Sequence, residues 1–110
     1  MPGQVLIVED PLVRRLIGGI LKRSGFSVIE AGTVRAIEML EGEKEEVALL
    51  VTNVPEHFLK WSQTVALVYV ASFPDPSKAG KFRRCRMLPK PFHPQALTDA
   101  ANAVLGTGSK

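Results

Sequence analysis

Cysteine is nearly missing from this sequence: Cys85 stands alone. A lone thiol excludes an internal disulfide framework and suits a reducing compartment, so a cytoplasmic protein is expected. Long apolar runs are missing too. The longest, Val65 to Ala71, holds seven residues, against the roughly twenty that a membrane-spanning helix needs. The opening Met1-Pro2-Gly3-Gln4 has no basic flank, and Val5-Leu6-Ile7-Val8 is too short for the apolar region of a secretory leader. Repeats and low-complexity segments are absent. The two histidines, His57 and His93, stand apart, and no nucleophile–base pair is legible, so no enzyme is expected. The net charge of +3 is modest and by itself names no partner.

What is present is enough apolar residue for one core. The chain has 110 residues, of which 45% are hydrophobic and 23% charged, as in a globular domain and unlike a disordered one. One domain is expected over residues 1–106, with 107–110 as a flexible tail. Val5 to Val8 is a continuous apolar run, the mark of a strand covered on both faces. Asp10-Pro11 reads as a helix start, with Asp10 as the N-cap acceptor and proline in the first turn. Leu12, Val13, Leu16, Ile17, Ile20 and Leu21 follow at helical spacing, which predicts one buried stripe. Gly18-Gly19 weakens that helix by about 1 kcal/mol per glycine relative to alanine and suggests close packing on the sheet. Gly25 supplies the left-handed residue that ends it.

A mixed strand follows at Phe26 to Glu30, then a helix capped by Thr33 and facing inward through Val34, Ile37 and Leu40. Residues Glu41 to Glu46 read as a solvated charged loop. Val47 to Val51 and Val65 to Val70 are apolar strands. The fifth, Arg84-Cys85-Arg86-Met87, alternates polar with apolar, as an edge strand does. Ala71 follows Asn53 by only 18 positions, so the intervening helix must be short, with Phe58 and Trp61 covering the sheet. Pro74 and Pro76 shorten the fourth helix as well. Pro94 opens a last helix, capped by His93, turned inward at Leu97, Ala101, Val104 and Leu105, and closed by Gly106.

Strands and helices that alternate in this way give a parallel sheet with helices on both faces and right-handed crossovers. The apolar strands belong in the centre and the mixed ones at the edges. The flavodoxin-like α/β order 2-1-3-4-5 does this and gathers the carboxyl ends of strands one, three, four and five. Those ends carry Glu9, Asp10, Asn53, Ala71, Ser72 and Lys90.

Four motifs lie at those ends: Val-Leu-Ile-Val-Glu-Asp, Leu-Leu-Val-Thr-Asn-Val-Pro, Val-Tyr-Val-Ala-Ser and Leu-Pro-Lys-Pro-Phe. Their order resembles the receiver domain of bacterial two-component response regulators, over essentially the whole chain. The resemblance implies that Glu9 and Asp10 match the acid pair that holds a divalent metal, with Asn53 at the phosphoacceptor position. It implies that Lys90 matches the lysine that meets the phosphoryl group, and that Pro91 follows a cis bond. Three positions depart from the pattern. Asn53 replaces the aspartate, and an amide cannot attack phosphorus. Ala71 replaces the switch hydroxyl, and Met87 the aromatic switch residue. The expectation is a pseudo-receiver that needs no cofactor, with at most weak Mg²⁺ binding at Glu9 and Asp10. Lys90 is then expected to pair with Glu9 or Asp10.

Two alternatives stay open. One is a true receiver with an unorthodox acceptor, such as Ser72 or His57, although strand alternation should turn Ser72 away. The other is a nucleic-acid-binding module that uses the basic span 78–90, which holds Lys78, Lys81, Arg83, Arg84, Arg86 and Lys90. In receivers this region contacts protein partners, so Arg84 and Arg86 are candidates to dock an acidic protein such as a histidine kinase or another signalling protein. Nucleic acid is the weaker partner, because only Phe82 interleaves the charges. No membrane partner is expected, and the sequence leaves the oligomeric state open.

Overall fold

The computed structural model describes residues 3–42 and 46–106; the expected tail at 107–110 and the centre of the charged 41–46 segment lie outside them. Five strands form one wholly parallel sheet: β1 (Gln4–Val8), β2 (Val28–Ala31), β3 (Val47–Thr52), β4 (Ala66–Ala71) and β5 (Cys85–Pro89), in the order β2-β1-β3-β4-β5. The crossovers are α1 (Pro11–Arg23), α2 (Thr33–Gly42), a 3-10 segment (Pro55–Trp61), α3 (Pro76–Ala79) and α4 (Pro94–Leu105). This is the flavodoxin-like arrangement that the alternation predicts, with the third and fourth helices shortened. Among the described residues, no helix is long and apolar enough to cross a membrane.

Successive side chains of each central strand point to opposite faces, so the apolar runs feed two cores. Val5, Ile7, Leu49, Val51, Val68 and Val70 pack against Ile17, Ile20 and Leu21 of α1 and Leu97, Ala101 and Val104 of α4. On the other face, Leu6, Val8, Leu50, Leu67 and Tyr69 pack against Ala36 and Leu40 of α2, Phe58, Ala79 and Phe82. Phe58 is fully buried and interrupts its segment with a non-helical φ of −125° and ψ of 22°. Its ring lies 6.3 Å from that of Trp61, which is half-buried on the same core. These two side chains fill the volume that a longer helix would occupy.

Four local expectations need correction. Leu12 and Leu16 are 80% and 58% exposed, and Val34 is 73% exposed. They lie beyond the arc of α1 and α2 that meets the sheet, and Ala36 takes the buried place in α2. Thr33 is the first helical residue, not the cap; the Gly32 carbonyl accepts the first bond, from Ala36 N–H. Asp10 stands at the N-cap of α1, but its side chain makes no cap hydrogen bond and is exposed. The Asp10 backbone carbonyl still accepts the first intrahelical bond, from Arg14 N–H at 2.7 Å. Strands β2 and β5 also run later than expected, because pairing with β1 and β4 sets their ends.

Other caps follow the sequence. Gly25 adopts φ of +96° just past α1, and Gly106 adopts φ of +73° after α4. His93 Nδ1 accepts Gln95 N–H at 3.1 Å. Gly18 is a true close approach: a Cβ there would come within 2.6 Å of Glu30 Oε2 on β2.

Candidate functional site

Parallel pairing puts the ends of four strands at one edge. Val8 pairs with Thr52, Thr52 with Tyr69, and Ala71 with Pro89. The residues that come next are therefore Glu9, Asn53, Ser72 and Lys90. The structure gathers these expected site residues at one edge, and the register of the apolar strands is what brings them there.

Glu9 is buried, with its side chain shielded completely. Its Oε1 accepts Asp10 N–H at 3.0 Å, and its Oε2 meets Lys90 Nζ at 2.7 Å. Lys90 is held from behind by its own backbone N–H, which donates to the Ala71 carbonyl at 2.8 Å. The Lys90–Pro91 bond is cis. The expected pairing of Lys90 is thus made with Glu9, while Asp10 faces solvent. Burial makes this pair consequential: removing one partner of a buried ion pair costs about 3–5 kcal/mol.

Asn53 is half-buried, and its amide makes no hydrogen bond to another described residue. The neighbouring Thr52 ties the strand end down: its Oγ1 accepts Val54 N–H at 3.0 Å. Ala71 ends β4 with a methyl side chain, and Met87 on β5 is 43% exposed. His57 lies exposed on the 3-10 segment. Ser72 is exposed and lines a cavity of about 330 Å³ with Val13, Leu16, Lys90, Pro91 and Phe92. Alternation ends with β4, so Ser72 is not turned away from Lys90 as a continued strand would require.

The basic span is divided. Lys78 pairs with Glu56 at 3.7 Å and Lys90 with Glu9. Arg83, Arg84 and Arg86 line a separate groove of about 400 Å³, whose other wall is Ala103 to Gly106. Phe82, the aromatic of the span, is buried, so it offers no stacking surface to a base. Cys85 lines the same groove; burial pushes its thiol pKa up, against an opposing pull from Arg86.

Three contributors escaped sequence reasoning. Arg14 reaches the Glu9 carbonyl in a long contact of 3.5 Å. The Tyr69 hydroxyl accepts Asp75 N–H at 3.2 Å and anchors the turn after β4. Phe73, in that turn, is 91% exposed. Only the position of Tyr69, two residues before a strand end, could have suggested its role.

No protein-family model matches the sequence, and no curated protein matches it either. Solved structures do match. A response regulator from Thermotoga maritima has a TM-score of 0.79 at 14% identity, over 96% of this chain and 99% of that one. The signal receiver domain of an HD domain-containing protein from Pseudomonas fluorescens has a TM-score of 0.76 at 18% identity, over 100% of both chains. The chemotaxis response regulator CheY4 of Vibrio cholerae has a TM-score of 0.74 at 19% identity, over 94% of this chain and 99% of that one. The fold is that of the response-regulator receiver domain.

Proposed function

We propose that the chain is a receiver-like module of two-component phosphorelay signalling that takes no phosphoryl group and works by protein contact. Its place is the cytoplasm, and its partner is a histidine kinase or another signalling protein. The carrying observation is Asn53 at the carboxyl edge of β3, beside the strand end that bears the buried Glu9. Phosphoryl transfer to a side chain needs an electron-rich atom. The amide nitrogen gives its lone pair to the carbonyl, and the neutral oxygen is a poor nucleophile. Ala71 offers no hydroxyl to sense a phosphate. The residues at this edge supply contact surface and charge, not catalysis.

A second reading has one observation in its favour: Ser72 shares a cavity with Lys90. A hydroxyl there could accept the group in place of the missing aspartate. One experiment separates the two. The protein is incubated with Mg²⁺ and a small acyl or amido phosphate and weighed intact. No adduct is expected, and no structural change on adding beryllium fluoride. A gain of one phosphoryl mass on Ser72 or His57 would replace the first reading by the second.

A further inference from the structure

Receiver-type phosphoryl chemistry calls for a divalent cation, and the residues at this edge do not fit one. Mg²⁺ takes hard oxygen ligands in near-octahedral geometry and relies on carboxylates to balance its charge. Here both Glu9 oxygens are already engaged: Oε1 accepts Asp10 N–H, and the buried Oε2, which has no hydrogen-bond partner, lies 2.7 Å from the Lys90 ammonium as an ion pair. The Asp10 carboxylate is exposed, and Asn53 brings no charge. Among the described residues, no group of three or more His, Cys, Asp or Glu side chains could hold a metal ion.

We propose that the Lys90 ammonium is the resident cation of this pocket and stands in for the divalent ion, so that the folded chain takes up no Mg²⁺ there. The inference deepens the reading above and rests on the same site. The tether explains why Lys90 prevails. Its backbone is fixed to Ala71, so the ammonium meets Glu9 without the entropy loss of capturing a free ion. A divalent ion entering beside it would face a like charge at short range, in surroundings that screen poorly. One buried carboxylate cannot balance both cations.

The test begins with the unmodified protein. Free Mn²⁺ is followed by electron paramagnetic resonance during titration, and thermal unfolding is compared in MgCl2 and in KCl of equal ionic strength. The expected result is no saturable Mn²⁺ uptake and the same Tm in both salts, since a bound ion would raise it. Lys90→Met should lower Tm by several degrees, and adding Glu9→Gln should restore most of the loss. Saturable one-site Mn²⁺ uptake by the unmodified protein would overturn the proposal, as would a Lys90→Met protein as stable as its parent. Should Lys90→Met fail to fold, the titration of the unmodified protein still decides. Metal uptake would sink this inference alone, whereas a phosphoryl adduct would sink the functional reading.

Discussion

Arg84 Nη1 lies 3.4 Å from the carbonyl oxygen of Val104, so the residue that leads into β5 caps the last turn of α4 from outside. Cations at a helix C-terminus are stabilising. Arg86, on the same groove, reaches only the neighbouring Cys85 carbonyl, at 3.5 Å. The two arginines therefore answer differently to charge reversal. Arg86→Glu is expected to slow association with an acidic partner by about tenfold at low salt and to leave stability unchanged. Arg84→Glu should slow it similarly and also cost about 1 kcal/mol through the helix terminus. Stopped-flow association with an acidic partner captured by pull-down on the tagged protein, alongside urea melts, checks both. Unchanged association would leave these arginines as protection of a sheet edge.

Asn53→Asp should supply a nucleophile and, as a second carboxylate at this edge, the charge that admits a divalent cation beside Lys90. Slow gain of one phosphoryl mass is expected with a small acyl phosphate, visible by intact mass spectrometry and absent in the parent. The change should not spread to β5, because Ala71 and Met87 are still in place; tryptophan fluorescence from Trp61 and proton–nitrogen spectra of β5 would report it.

Phe58→Ala should be among the most damaging single changes. The ring is fully buried where a helix is missing, so the cavity cannot close by a small shift. A loss of about 3–5 kcal/mol is expected in urea melts.

The glycine pair of α1 should split. Gly19→Ala meets only the flexible end of Arg23, at 3.5 Å, and should stabilise by about 0.5–1 kcal/mol. Gly18→Ala must first displace the Glu30 carboxylate, so its gain should be smaller. Thermal melts of the two variants give the ranking.

The Cys85 thiol has a pKa raised by burial, partly opposed by Arg86. Folding therefore favours the protonated form. Its contribution is fully present below the ordinary thiol pKa. It falls as pH rises above that value, where the unfolded chain ionises first. Cys85→Ala should flatten this part of the alkaline limb of a stability–pH curve. Alkylation at neutral pH should be several-fold slower than in urea.

Strand order and crossovers were legible because apolar runs and mixed runs sort themselves into central and edge positions. The short third crossover followed from the spacing of Asn53 and Ala71. The pairing of Lys90 with an acidic residue was also foreseen, but not which one. Glu9 and Asp10 are adjacent in sequence, and only the helix start at Pro11 turns one inward and the other out. The exposure of Leu12, Leu16 and Val34 was hidden for a related reason. Periodicity shows that a helix has an apolar side, but not how wide an arc the neighbouring elements cover. The division of the basic span needed the positions of Glu9 and Glu56, far away in sequence.

The two faces of the sheet are clothed unequally. One lies under α1 and α4, of 13 and 12 residues; the other under α2 and two segments of seven and four. A 3-10 segment and a single helical turn have few internal hydrogen bonds to lose when they lift away. Breathing of the native state should therefore be polarised: amides around Phe58 and Ala79 are expected to exchange with solvent through small local openings, and those of α1 and α4 only through larger ones.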